Sequence, residues 1–252
     1  GPALYHVWSI AEDVSKGGRF GEPDSKLILQ LVSRGGSVPA ELESAVEEVY
    51  NNWKSGTVKE FNLCSHITSG MGMGYCASIK NDRDQKTRNQ RLSNIRQNLN
   101  SDSQNLLDIA YASAVKFIDS KTYDEEGHGG SGASAWIISS RIDQKDAYLD
   151  LLENVLIGYK PSPTSSFYEA DKKLNETHKK FISYTMTIEK DFNAKHFNED
   201  ELHVVQSLWI SYRDATVNLF MAITPSIDSD VWKSWLTEYR EEQLRTEAWH
   251  KK

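Results

Sequence analysis

Residues 165–192 have the sequence SSFYEADKKLNETHKKFISYTMTIEKDF, and this stretch decides the fold. Ser166 and Glu169 form a capping box, in which a hydroxyl and a carboxylate satisfy free backbone amides in the first turn of a helix. The apolar residues that follow recur at the spacing of a helix with one buried face, and they are Phe167, Leu174, Phe181, Ile188 and Phe192. The stretch therefore predicts a long amphipathic helix.

Two more helices are predicted to follow it. One starts at Asn198, where Phe197 and Leu202 have the placement of a hydrophobic staple. The other starts at about Asp230, and Pro225 separates the two because proline interrupts a helix. Residues 165–252 are therefore expected to form an all-helical module.

The residues before this module align with it as a divergent tandem repeat. The linker 158–164, Gly-Tyr-Lys-Pro-Ser-Pro-Thr, joins the two halves. At a constant offset, five positions of the first half match five of the second, namely Leu107, Tyr111, Ala114, Phe117 and Asp119 against Leu202, Gln206, Trp209, Tyr212 and Asp214. The predicted organisation is all-α: an N-terminal helical region 1–58, a divergent helical domain 59–158 and a helical-bundle domain 165–252.

Composition excludes several classes of function. The chain has 252 residues, with 29 Lys and Arg against 36 Asp and Glu, and a net charge of −7. This balance argues against nucleic acid as a partner and mildly favours a basic protein. No run approaches the roughly 18 apolar residues of a membrane span, so no membrane insertion is expected.

The only two cysteines, Cys64 and Cys76, lie close together in the sequence. Such a pair is typical either of one small-loop disulfide or of two inert thiols. A metal site with His66 as third ligand lacks a fourth ligand nearby. We therefore expect neither a metal nor another cofactor.

Three motifs occur in order in the second half: Asp171-x-x-Leu174-Asn175, then Gln206-x-x-Trp209-x-x-Tyr212-Arg213-Asp214-Ala215, then Thr237-x-x-Arg240-x-x-x-Leu244. Together they resemble the LprI-like lysozyme-inhibitor domain, a helical family that is mostly exported into bacterial envelopes. The first half resembles it less, with Ala114 in place of the tryptophan and Ile118 in place of the arginine.

The resemblance implies that Cys64 and Cys76 form a disulfide, because the family has a cysteine pair at this spacing. The cysteine that usually follows the arginine-aspartate-alanine motif is replaced by Thr216-Val217, so a second disulfide is not expected. Five motif residues are interpreted as a structural network that fixes helix register rather than as a binding site: Asp171, Gln206, Trp209, Arg213 and Asp214.

The segment 124–132, Asp-Glu-Glu-Gly-His-Gly-Gly-Ser-Gly, is the main functional candidate. A flexible, acidic, protruding loop is suited to entering an enzyme cleft, because glycines let the backbone approach closely. Its candidate partner-binding residues are Glu125, Glu126, His128 and Ser131. The alternative is an ordinary solvated loop between helices.

These observations predict a non-enzymatic inhibitor or immunity protein that neutralises a peptidoglycan-degrading enzyme, such as a secreted muramidase. The expected location is the periplasm or another exported compartment, with any signal peptide already removed. Two alternatives belong to other classes. One is a scaffolding helical protein of the envelope without an enzyme target, and the other is a carbohydrate hydrolase.

Overall fold

The computed structural model describes residues 67–188 and 197–249, together with the single positions 51, 55 and 64. The described residues form six α-helices, which confirms the predicted all-α class. The helices are α1 (Gly70–Gln97), α2 (Ser101–Ser120), α3 (Ala133–Leu156), α4 (Phe167–Ile188), α5 (Glu199–Ile223) and α6 (Ser229–Trp249). The predicted N-terminal helical region, 1–58, lies outside the described residues except for positions 51 and 55.

The chain divides into two compact units, Gly1–Cys76 and Ala77–Lys252. In the first unit a disulfide joins Cys64 to Cys76, with 5.7 Å between their Cα atoms. His66, the third ligand of the alternative metal site, lies outside the described residues. The predicted linker 158–164 lies inside the second unit, which holds most of both predicted repeats.

Side-chain caps fix the starts of three helices. Ser166 Oγ accepts from the amide of Glu169 at 3.3 Å, and Glu169 accepts from the amide of Ser166 at 3.1 Å, which is the predicted capping box of α4. Asn100 caps α2 and Asn198 caps α5, each accepting one backbone amide at 2.9 Å. These caps explain why the sequence locates the helix starts well.

Two apolar clusters make up the core of the second unit. The first joins α2 and α3 to α5 and α6 through fully buried residues that include Leu107, Leu149, Leu152, Phe220 and Trp232. The second joins the end of α2 to α4, α5 and α6 through Phe117, Leu174, Phe181, Trp209 and Leu244. Helices α2, α5 and α6 contribute to both clusters and so connect the two parts of the core.

After Ser120, the last residue of α2, the chain continues directly into one turn of π-helix, Lys121–Glu125, which we call the π-turn. Its characteristic hydrogen bond, between residues five apart, runs from the Glu126 amide to the Lys121 carbonyl and is 3.1 Å long. Thr122 is fully buried and donates its hydroxyl to the carbonyl of Ile118. The π-turn thus places Lys121 and Glu125 inside the protein, although both carry charge.

None of the described helices combines the length and the apolar character that crossing a membrane requires.

The disulfide gives a direct prediction. Thiol titration of the protein, unfolded in denaturant without reductant, is expected to find no free thiol, and after reduction it is expected to find two, because the chain has only Cys64 and Cys76. Two reactive thiols before reduction would contradict the bonded pair.

Candidate functional site

The acidic segment 124–132 is attached to the core by a buried ion pair. Arg240 of α6 donates to Glu125 through two nitrogens, with Nη1 to Oε1 at 2.7 Å and Nη2 to Oε2 at 2.5 Å. Both side chains are fully buried. Such a bidentate contact between a planar guanidinium and a carboxylate is strong and strictly oriented.

Neighbouring groups keep this pair charged. Burial by itself raises the pKa of Glu125, but the charge and hydrogen bonds of Arg240, with help from Lys121, lower it below the usual value. The Arg240 guanidinium lies 5.2 Å from the centre of the Phe117 ring, and its Nη2 is 3.5 Å from Gln206 Oε1. Arg240 therefore connects the π-turn to α2, α5 and α6.

The structure therefore does not place Glu125 on an exposed loop, where the sequence predicted it as a partner-binding residue. Its carboxylate is fully buried and already holds a cation, so separating it to reach another protein would leave Arg240 uncompensated in the core. Sequence patterns did not reveal this because Glu125 stands in a run of acidic and glycine residues that is typical of an exposed loop.

Glu126 is the second anchor of the segment. Its Oε1 accepts from Lys121 Nζ and from Gln144 Nε2, each at 2.7 Å, and its Oε2 lies 2.9 Å from His128 Nε2. Burial raises the pKa of Glu126, but the charge and hydrogen bond of Lys121, aided by Ser140 and His128, lower it to about 2. Glu126 and His128 thus hold the segment together rather than projecting from it.

Only the tip of the segment is exposed. Gly129, Gly130 and Ser131 are exposed, and Gly130 has a φ of 75°, a backbone conformation that favours glycine. The indole of Trp136, in the first turn of α3, is 57% exposed beside this tip. The expected flexible acidic loop is therefore an anchored turn that presents glycines, one serine and a tryptophan.

The predicted structural network surrounds Arg213, which is 7% exposed. Its Nε donates to Asp214 at 2.8 Å, its Nη1 lies 3.5 Å from Asp171, and its guanidinium lies 5.0 Å from the Trp209 ring. Asp171 and Asp214 keep 42% and 50% of their side chains exposed, so this ion-pair group lies at the edge of the core. Gln206, the fifth member, lies beside Arg240 instead.

A groove lined by aromatic rings lies between α3 and α6, above α2 and α5, and we call it the aromatic groove. Its volume is about 420 Å³, within the range of about 300–1,000 Å³ that small-molecule sites occupy. Seven of its fifteen lining residues are aromatic: Phe117, Tyr148, Tyr159, Trp209, Tyr212, Trp235 and Tyr239. The others are Ile118, Gln144, Ala147, Asp150, Leu151, Asn154, Leu236 and Gln243. The groove is not evident from the sequence, although the aromatic residues at helical spacing in α6 are a signal of it.

The aromatic groove continues toward the segment tip. A second depression of about 360 Å³, lined by Glu126, His128 and Trp136 among others, shares Gln144, Ala147 and Gln243 with it. One side of the second unit therefore carries a continuous surface that runs from Tyr159 to the tryptophan beside the tip.

Within residues 67–188 and 197–249, no group of three or more His, Cys, Asp or Glu side chains is arranged to hold a metal ion. No protein-family model, curated protein or solved structure matches this chain.

Removing one partner of the buried pair should be costly. Arg240→Ala is expected to lower the free energy of unfolding by about 3–5 kcal/mol, because it leaves the Glu125 carboxylate buried without a cation. Urea unfolding measures the loss. Arg245→Ala on the same helix, which breaks an exposed pair with Glu242, is the matched control and should change the unfolding midpoint very little.

The double variant Glu125→Leu/Arg240→Met separates charge from packing. It should recover most of the lost stability, since apolar side chains of similar volume replace both buried charges. A double variant as unstable as Arg240→Ala would show that packing around Arg240, and not the unpaired carboxylate, causes the loss.

Glu126 predicts how stability depends on pH. Because folding lowers the pKa of Glu126 from 4.5 to about 2, the ionised group stabilises the fold above pH 4.5, and this contribution disappears as the pH falls toward 2. Between pH 7 and pH 2, the stability difference between the wild type and Glu126→Gln should therefore change by about 3 kcal/mol, following about 1.4 kcal/mol per pKa unit. Urea unfolding at a series of pH values should show this difference shrinking steadily below pH 4.5. A constant difference would contradict the assignment.

Proposed function

We propose that this protein is an exported binding protein that inhibits a peptidoglycan-degrading enzyme of the muramidase class, and that it uses the anchored tip at residues 129–131 together with Trp136. The observation that carries the proposal is this exposed tryptophan beside a glycine turn whose flanking residues are held by buried charges. The class of target comes from the resemblance of the three motifs to the LprI-like inhibitor domain.

The motif residues are mostly buried, so their role in the proposed function is to position the helices and not to contact the partner. Leu174, Trp209, Arg240 and Leu244 are each no more than 2% exposed, and Arg213 is 7% exposed. These residues set the mutual positions of α4, α5 and α6, so a shared motif implies a shared helical frame. Contacts with a partner must then come from exposed residues outside the motifs.

The anchored tip has the properties of a binding hot spot. Tryptophan is enriched at the centres of protein interfaces, where it buries a large area with little loss of conformational freedom. Trp136 is 57% exposed, and Tyr123 on the other side of the segment is 59% exposed. Because Glu125 and Glu126 already hold the turn in place, binding costs little further ordering, which favours affinity.

Charge and redox state agree with the proposed setting. Cell-wall hydrolases that bind an anionic polymer are commonly basic, and a chain with a net charge of −7 would be steered toward them. The Cys64–Cys76 disulfide is compatible with an exported protein, since disulfides persist in oxidising compartments. A periplasmic immunity protein that neutralises a secreted muramidase toxin is the specific setting that we propose.

The hydrolase alternative requires a carboxylic acid that stays protonated to donate to the glycosidic oxygen. Glu126, near the aromatic groove, has its pKa moved in the opposite direction, to about 2, so it is not suited to this role. Asp150 is the carboxylate that lines the groove itself, and Arg91 pairs with it at 2.5 Å. Neither Glu126 nor Asp150 therefore supports the hydrolase alternative.

The proposal predicts that Trp136→Ala weakens inhibition. With a c-type lysozyme and a phage-type muramidase as probes, the wild type should slow the clearing of a cell-wall suspension by at least one of them. Trp136→Ala should raise the inhibitor concentration needed by a factor of about 10–100, equivalent to about 1.4–2.8 kcal/mol for one hot-spot residue. Tyr168→Ala, which removes a 78% exposed aromatic residue from α4, is the matched control and should inhibit like the wild type.

Helical circular dichroism of each variant verifies folding. Unchanged inhibition by a folded Trp136→Ala variant would exclude the anchored tip as the contact. If the wild type inhibits neither the lysozyme nor the muramidase, the proposed function is refuted for both enzymes. Inhibition that falls equally in Trp136→Ala and Tyr168→Ala would indicate a general loss of structure instead.

A further inference from the structure

We propose that the aromatic groove is a binding site for an uncharged oligosaccharide. This inference does not depend on the proposed inhibitor function, because it rests on the chemistry of the groove lining and requires no protein partner. It also differs from the anchored tip, which is built from glycines and Trp136.

Exposed aromatic rings form one edge of the groove. Trp235 and Tyr239 stack almost in parallel, with an interplanar angle of 15° and 6.4 Å between ring centres, and Tyr159 lies 5.6 Å from Trp235. Tyr239 is 57% exposed and Tyr159 is 38% exposed, although both line a groove. Sugar rings carry one face of C–H groups, and burying that face against exposed aromatic rings removes apolar surface of both partners from water.

The groove lining contains few charged side chains. Asp150 is the one charged side chain among the fifteen residues that line the groove, and it pairs with Arg91, which also pairs with Glu153. The described lining of the groove therefore offers no cation to a phosphate, a carboxylate or an acidic lipid headgroup. In the adjoining second depression Lys121 is buried and paired with Glu126. This surface therefore disfavours an anionic ligand and suits one without charge.

Two amide side chains in the groove can hydrogen-bond to the hydroxyl groups of such a ligand. Asn154 and Gln243 line the groove, and neither side chain hydrogen-bonds to another described residue. An amide group has both donors and acceptors, as a sugar hydroxyl does, so each can exchange hydrogen bonds with the other in either direction. Ligand sites typically combine an apolar lining with a few such polar groups.

The shape favours a chain over a single sugar. The groove continues through Gln144, Ala147 and Gln243 into the second depression, so a ligand of two or three linked rings finds more surface than one ring does. A trisaccharide is therefore expected to bind more tightly than its monosaccharide.

The test is an NMR titration of the intact chain with cellotriose and with chitotriose, which are both uncharged. At least one should bind saturably with a dissociation constant of about 1 mM or below, and at least tenfold more tightly than the matching monosaccharide. Trigalacturonate has a similar size but is anionic, and it should bind at least tenfold more weakly. Equal binding of trigalacturonate would overturn the argument from charge.

Two variants locate the site. Tyr239→Ala should weaken trisaccharide binding at least tenfold, because it removes the most exposed ring of the groove, whereas Tyr168→Ala on α4 should leave binding unchanged. Both residues are largely exposed, so neither substitution opens a cavity in the core. Equal effects of the two variants would place the binding elsewhere and overturn the proposal.

A peptide is the competing occupant. Grooves lined by aromatic rings also bind extended proline-rich peptides. Titration with an uncharged proline-rich peptide is expected to give no saturable shifts around Trp235 and Tyr239. Saturable peptide binding there, with none of either trisaccharide, would show that the groove is a peptide site and refute the saccharide assignment. Because no enzyme is present in these titrations, their result is independent of the muramidase assay.

Discussion

The arrangement of the second unit depends on the buried ion pair between Arg240 and Glu125. A guanidinium and a carboxylate that are both removed from water stabilise the fold only while they remain in contact, since either one alone is strongly unfavourable in the core. The pair joins α6 to the π-turn that follows α2, and Gln206 and Phe117 complete the surroundings of Arg240. The position of α6 relative to α2 is thereby tied to one orientation-dependent contact.

This constraint explains the form of the acidic segment. Because Arg240 holds Glu125 and Lys121 holds Glu126, these two carboxylates point inward, and the glycines form the exposed turn. Trp136, in the first turn of the next helix, lies beside that turn and stays exposed. Glu125 and Glu126, which the sequence predicts as partner contacts, instead hold the glycine turn in place. The exposed groups of the tip that a partner could contact are uncharged.

The same packing creates the aromatic groove. Helix α3 packs against α2 and α5, while α6 packs against α4 and α5, and the space between α3 and α6 remains open above the Phe117 and Tyr212 rings. These rings stack with their centres 5.4 Å apart, and Tyr148 meets Tyr212 edge to face at 5.5 Å, so the floor is well packed. A rigid aromatic floor with exposed rings at its edge is a surface suited to a ligand with apolar faces.

The helical class and the starts of α4, α5 and α6 could be predicted from the sequence alone. Hydrophobic periodicity and capping side chains act over three or four residues, so the box at Ser166 and Glu169 and the cap at Asn198 are visible in the sequence alone. Only the tertiary structure decided that Glu125 is buried and that the aromatic groove exists. Arg240 and Glu125 are 115 residues apart, and local patterns carry no information about which distant charge will neutralise a carboxylate. From sequence alone, an acidic residue in a glycine-rich segment is therefore assigned to the surface. The folded structure is needed to show that a buried cation pairs with it.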